Sequence, residues 1–306
     1  MAHDSDRLRL LESLARNRGI PFGHDRLPRR KSFSTPTGRR ISYLSWPGQG
    51  APLVLLHGGA LTAHTWDLTC LDLTDDFCCV CPDLRGHGDS DAALEYSIQG
   101  SVDDVLCLVD DVGWDELHIA GMSLGGTIAF HLAAQQQVRV LSLTMIDVGP
   151  GVDFEATAEM RSFLAGANDS MSCSAVVDAV MKLRPNADRD LISYRYQHLM
   201  RQLPDGTWTW RQDRARSLDY QHVLAKIAEM PQLAASIRCP VLIVRGDRSR
   251  IFSTQHAAQF ARMFSEGQCV VVPHAGHNVQ EDNPRALAET IRARLDRRPG
   301  SSAARF

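Results

Sequence analysis

The sequence has no apolar stretch long enough to span a bilayer, and its N-terminus, MAHDSDRLRLLESLARNRG, is charged throughout and lacks the apolar centre of a secretory signal. A cytoplasmic location and no membrane span are therefore expected. An excess of one charge is also missing. With 33 basic and 36 acidic residues the net charge is −3, which offers no global attraction for nucleic acid or an anionic membrane. The cysteines lack the grouping of a metal site. Eight are scattered, and the densest set, Cys78, Cys79 and Cys81, falls in the apolar run FCCVCPD, which reads as a strand. Alternate strand residues point to opposite faces, so these thiols cannot form one tetrahedral cage. They are expected as buried, reduced core residues, and no metal is expected.

What the chain does have is size. Its 306 residues can bury one large core, or one core with a smaller inserted lobe, without disulfides. Leu8, Leu10, Leu11, Leu14 and Ala15 form an apolar helical stripe within an N-terminal extension, residues 1–30, that is expected to pack on the domain. FSTPTGRRISYLSW reads as an opening hairpin around Thr37 and Gly38. Six apolar runs follow: PLVLLHG, FCCVCPD, ELHIAGM, VLSLTMID, PVLIVRGD and QCVVVPHAG. Helical stretches separate most of them. Strands apolar on both faces and alternating with helices indicate a parallel sheet covered on both sides.

The alternation breaks between Pro150 and about His222, where helical and polar stretches replace strands and aromatics gather: Tyr194, Tyr196, Trp208, Trp210 and Tyr220. This segment, residues 150–222, reads as an inserted lid between core segments 31–149 and 223–297. Its aromatics suit either a small core of its own or a substrate surface. The tail, residues 298–306, reads as flexible.

Chemistry concentrates in three places. Gly121-Met122-Ser123-Leu124-Gly125-Gly126 stands where the apolar strand LHIA turns into the helix TIAFHLAA. A serine on so sharp a turn is pushed out of the backbone, and small neighbours relieve the crowding. The following helix points free N–H groups at it, favouring negative charge. His57-Gly58-Gly59 ends the strand PLVLL, nine residues ahead of Trp66. Its glycines let the backbone pass close to an acyl group, so the amides of Gly59 and Leu124 are the expected oxyanion hole. His57 reads as a structural hydrogen-bonder, and nearby His64 carries no role. Ala275-Gly276-His277 follows the strand CVVVP, in a loop able to hold an imidazole over the sheet edge. Ser123 is thus the candidate nucleophile and His277 its base, ahead of His274, which stands next to the strand and should point away.

HGG with a downstream Trp, Asp83-Leu84-Arg85-Gly86-His87-Gly88-Asp89-Ser90, GMSLGG and AGH occur in the order typical of the α/β-hydrolase superfamily, which residues 35–295 resemble. The resemblance implies an α/β fold with an eight-stranded, mostly parallel sheet, helices on both faces, a helical cap after strand six, a Ser-Asp-His triad and no cofactor. Asp83 and Arg85 read as loop-fixing groups. The triad acid is the open question. The family usually carries it three residues after the glycine ending strand seven, which here is Ser249. Asp147, closing strand six, is the preferred candidate; Asp247, beside Arg248, is the alternative. A subgroup that VRGDRSRIFS and IDVGP resemble takes its acid from strand six.

The expected reaction is acyl transfer from a carboxylic ester to water through a covalent Ser123 intermediate, with a small-molecule acyl substrate as partner. Tyr194, Arg195, Trp208, Trp210 and Arg211 are the candidate cap contacts. Amide or carbon–carbon hydrolysis stays open, and a likeness to (acetamidomethylene)succinate hydrolases would pair an acid substrate with Arg195 or Arg211. A slow ligand receptor or a cofactor-independent oxygenase would keep the fold, and a homodimer is left open. Dehalogenase and epoxide-hydrolase activities are disfavoured, because family members with them carry aspartate where this chain has Ser123.

Overall fold

The six apolar runs become parallel strands of one sheet in the computed structural model, which describes residues 2–158, 162, 171–211, 213 and 220–295. In chain order the strands are β1 (Arg29–Ser34), β2 (Arg40–Ser45), β3 (Ala51–Leu56), β4 (Phe77–Pro82), β5 (Glu116–Met122) and β6 (Arg139–Ile146). After an excursion that holds β7 (Met200–Gln202) and β8 (Trp208–Trp210), the sheet closes with β9 (Val241–Gly246) and β10 (Gly267–Val272). The eight-stranded order is β1-β2-β4-β3-β5-β6-β9-β10. The first two strands pair antiparallel as the expected hairpin, turning at Gly38 with φ 80°, and the rest run parallel from β4 onward. Because β4 lies on one side of β3 and β5 on the other, the strand order reverses at β3. In an open α/β sheet the region beyond the strand C-termini at such a reversal is the usual place for a ligand.

Strand alternation divides the core between two faces. Val54, Leu56, Ile119, Leu143 and Ile243 face one side, under α3 (Ile98–Val112), α4 (Leu124–Gln135), α7 (Tyr220–Leu233) and α8 (Thr254–Ala261). Leu53, Leu55, Met122, Ile146 and Val244 face the other, under α1 (Ala2–Asn17), α2 (Asp67–Leu73), α9 (Val279–Asp282) and α10 (Pro284–Leu295). Each fully buried Leu or Ile contributes about 1.5–3 kcal/mol, so a change of pairing register that turned these strands over would be heavily penalised. Leu11, Leu14 and Ala15 of α1 are buried in the second layer. The N-terminal stripe therefore covers core. No helix among the described residues is long and apolar enough to cross a membrane.

Between β6 and β9 the chain forms α5 (Cys173–Leu183), α6 (Arg189–Leu199) and the β7–β8 hairpin. Asp188 caps α6 by accepting from the N–H groups of Asp190 and Leu191. The hairpin corrects the expectation that strands are missing here. Pro204-Asp205-Gly206 makes the turn, with Gly206 at φ 86° and the Asp205 carboxylate accepting from Thr207 N at 3.0 Å. Short strands bounded by such a turn lack the long apolar run that marks a buried strand. Val176, Val180, Ile192, Tyr196, Met200 and Trp210 form a separate small core, in which the Tyr196 and Trp210 rings meet edge to face at 6.0 Å. The expected flexible tail lies outside the described residues, as do residues 159–161, 163–170, 212 and 214–219 of the expected lid.

Candidate active site

Strand register brings the first two groups together. β5 pairs with β6 so that Met122 faces Ile146, and β6 pairs with β9 so that Ile146 faces Val244. The next residues, Ser123 and Asp147, therefore emerge side by side at the C-terminal edge. Both leave their strands with positive φ, 52° for Ser123 and 53° for Asp147, a conformation that costs a non-glycine residue about 1–3 kcal/mol. Backbone bonds hold them there: Ser123 N donates to Ile146 O at 3.0 Å and Asp147 N to Val244 O at 2.7 Å.

The Ser123 turn requires its glycines. A Cβ at Gly121 would lie 2.2 Å from Gly125 O, and one at Gly125 would lie 2.2 Å from Leu56 O. Ser123 is the N-cap of α4, and Leu124, the first residue of that helix, has an N–H with no acceptor inside it. From the other side the β3 end passes so near that a Cβ at Gly58 would be 3.4 Å from the Ser123 Cβ. Gly59, the other expected oxyanion donor, follows directly in the chain.

His277 arrives on the loop after β10. That loop packs on the end of β9, where a Cβ at Gly246 would sit 2.2 Å from the carbonyl oxygens of both Ala275 and Gly276. Arg248 N donates to Ala275 O at 2.9 Å and Gly276 N to Asp282 Oδ2 at 2.8 Å. So held, His277 places Nδ1 2.7 Å from Asp147 Oδ2. Asp147 is wholly buried, and its other oxygen, Oδ1, has no hydrogen-bond partner. Ser249 Oγ donates to Oδ2 as well.

Asp247 does a different job. It is exposed, and its Oδ1 accepts from Ala275 N at 3.0 Å. Backbone hydrogen bonds from His274 and Ala275 hold its carboxyl below the usual range. It therefore braces the histidine loop from outside and makes no bond to His277. His274 turns to Arg248, with Nδ1 3.0 Å from the guanidinium.

Other polar groups nearby bond within the protein. His57 is fully buried and accepts from Leu84 N at Nε2, which places the ring proton on Nδ1, 2.8 Å from Gly58 O. Burial, aided by His87, pushes its pKa down to about 3. Burial works to raise the pKa of Asp83, but Arg30 and the N–H groups of Ala63 and Asp89 outweigh it, and the carboxyl stays below its ordinary value. Arg85 binds Asp104 at 2.8 Å and the carbonyl of Glu95.

The candidate cap residues have partners within the protein. Tyr194 donates its hydroxyl to Asp67, Arg195 pairs with Glu281, and Arg211 pairs with Asp89. Trp210 is buried in the small core of the excursion, with Trp208 packed at its margin. Glu281 and Gln280 escaped sequence reading. Thr65 donates to Glu281 Oε1 at 2.8 Å and accepts from Gln280 Nε2 at 2.9 Å, which ties α9, just after His277, to the turn that precedes α2. The signal available was their place just behind AGH, where whatever fixes the loop must stand.

Comparison with known proteins agrees with the fold. A family model described as alpha/beta hydrolase fold matches residues 51–284. An esterase of Mycobacterium tuberculosis is 32% identical over 267 residues, covering 84% of this chain and 87% of its own. A solved structure of that esterase superposes with a TM-score of 0.78 at 30% identity, covering 95% of this chain and 98% of that one. The 2-(acetamidomethylene)succinate hydrolase of Mesorhizobium japonicum is 26% identical over 262 residues, covering 81% of this chain and 89% of its own.

Proposed function

The chain belongs to the α/β hydrolase fold family, and we propose on that footing that it is an esterase working through Ser123, His277 and Asp147. The observation that carries this reading is the 2.7 Å contact between His277 Nδ1 and the buried Asp147 carboxylate, beside a serine held on a strained strand-to-helix turn.

In the proposed reaction the Asp147 carboxylate keeps the His277 proton on Nδ1, leaving Nε2 free to act as a base. As Ser123 Oγ attacks the ester carbonyl, its proton passes to Nε2, and Asp147 stabilises the resulting imidazolium without taking its proton. The Gly59 and Leu124 amides receive the oxyanion, supported by the positive end of α4. His277 then protonates the departing alcohol, leaving an acyl-Ser123. A water attacks this ester in turn, giving its proton to His277, and Ser123 leaves as the free hydroxyl with the acid released. The likeness to an esterase at 32% identity supports an ester as the substrate.

We further propose that the substrate is an uncharged acyl compound, because the candidate cap arginines are already paired. Recognition of a carboxylate substrate by Arg195 or Arg211 would have to break a pair with Glu281 or Asp89 first. Steady-state hydrolysis of a series of neutral nitrophenyl esters and of the hemisuccinate ester tests both parts. The proposal expects turnover of the neutral esters, absent in Ser123→Ala, with the hemisuccinate slower. Equal turnover by Ser123→Ala would overturn it.

A further inference from the structure

A second polar cluster stands apart from the triad. His64, in the short turn Ala63–Trp66, stacks on His198 of α6 with ring centroids 3.6 Å apart, and its Nδ1 lies 2.7 Å from Asp67 Oδ2 at the start of α2. One ligand atom from each of His64, Asp67 and His198 lies within 4.8 Å of the others. Two atoms of the cluster are buried without any hydrogen-bond partner, Asp67 Oδ1 and His198 Nε2. A buried carboxylate oxygen and a buried imidazole nitrogen left without partners are costly unless something meets them, and no hydrogen bond joins these two to each other. The cluster borders a cavity of about 420 Å³, which gives a small solute access.

We propose that His64, Asp67 and His198 form a binding site for one divalent transition-metal ion of the Zn²⁺ type. Two imidazoles and a carboxylate are a donor set that Zn²⁺ accepts, with a water completing four-coordination. Bonds of about 2.0–2.1 Å place tetrahedral ligands roughly 3.3 Å apart, so the cluster, whose ligand atoms lie within 4.8 Å of one another, contracts by at most about 1.5 Å on binding. The proton balance is simple. His64 now holds its proton on Nδ1 toward Asp67, with Nε2 2.8 Å from an Arg30 Nη atom. When the metal takes Nδ1, the ring proton moves to Nε2 and Arg30, about one-third exposed and already paired with Asp83, turns off the ring. Tyr194, which donates its hydroxyl to Asp67, orients the carboxylate.

The ligands come from two parts of the chain. His64 and Asp67 belong to the core, while His198 belongs to the excursion between β6 and β9. A bound ion would therefore fasten α6 down onto α2, beside the Arg195–Glu281 pair that joins α6 to the turn following His277. Sequence alone gives the pair His64-x-x-Asp67 but not the third ligand, 131 positions after Asp67 in the chain, and it gave His64 no role.

Calorimetric titration of the full chain with ZnCl₂ after chelator treatment tests the site, alongside thermal unfolding with and without the metal. The expected result is one tight equivalent of Zn²⁺ and a higher melting temperature for the wild type. His198→Gln and His64→Ala should weaken that equivalent by more than about tenfold and lose the melting shift. Melting in chelator shows that each variant is folded, and His64→Ala, at the cavity rim, guards against failure of the buried variant. Absence of a saturable equivalent in the wild type, or an equivalent and melting shift unchanged in both variants, would overturn the proposal.

Discussion

Ser249 Oγ donates a hydrogen bond to Asp147 Oδ2, the same oxygen that lies 2.7 Å from His277 Nδ1. Ser249, the position where the family resemblance implies the acid, thus bonds to the carboxylate proposed as the acid on the neighbouring strand. Both routes end at one imidazole because β6 and β9 are paired and finish level with each other.

Removing the Asp147 charge while keeping its shape should cost most. Asp147→Asn is expected to lower kcat for an ester by about 10⁴-fold, since an amide no longer fixes the imidazole proton on Nδ1. Ser249→Ala should cost roughly ten- to a hundredfold, the value of one hydrogen bond to a charged group. Asp247→Asn should stay within about threefold, because Asp247 touches only the backbone of the histidine loop. Steady-state kinetics on the three variants check this ordering.

The glycines of the serine turn should be intolerant. Gly125→Ala would push a methyl group onto backbone, 2.2 Å from Leu56 O and 2.6 Å from His57 O, where no flexible side chain can give way. A loss of about 3 kcal/mol or more in urea unfolding, or failure to accumulate folded protein, is expected.

The Arg195–Glu281 pair joins α6 to the turn behind His277, and both side chains are largely buried, 11% and 4% exposed. Arg195→Met alone should destabilise by about 3–5 kcal/mol, because it strands a buried carboxylate. The double variant Arg195→Met, Glu281→Gln should recover a large part of that loss. Chemical unfolding of the two single variants and the double gives the coupling.

Stability should fall as pH drops below neutrality. His57 is neutral in the folded protein down to about pH 3, whereas in the unfolded chain it takes a proton near the ordinary histidine value of 6.5. Between those values the unfolded state binds one more proton. The contribution is therefore fully present above about pH 6.5 and is lost by about 1.4 kcal/mol per pH unit as pH falls toward 3. His87 and His198, also pushed down by burial, add in the same direction. Unfolding free energies at pH 7, 6 and 5 should decline steadily; a flat profile would contradict the buried neutral histidines.

Much of this was legible because it depends on local pattern. Leu53 to Leu56, Val241 to Val244 and the other apolar runs can only be strands covered on both faces, and a serine between Met122 and Leu124 at a strand-to-helix junction leaves few readings. Asp147 could be preferred but not decided, since its claim rests on β6 and β9 ending side by side, a relation between residues about a hundred positions apart. The β7–β8 hairpin was missed although Pro204-Asp205-Gly206 is a turn signal, because three-residue strands carry no period long enough to count. The partners of Arg195, Arg211 and His198 were out of reach altogether: each pairing is set by how the excursion folds back on the core.

The most direct test of the central claim is the intact mass of the protein after exposure to a fluorophosphonate, which reacts with a serine only when a neighbouring base activates it. The account predicts one adduct on the wild type, none on Ser123→Ala, and labelling slowed at least about a hundredfold in His277→Ala and Asp147→Asn while Asp247→Asn labels like the wild type. A folded wild type that takes no label, or a Ser123→Ala variant that labels equally well, would contradict it.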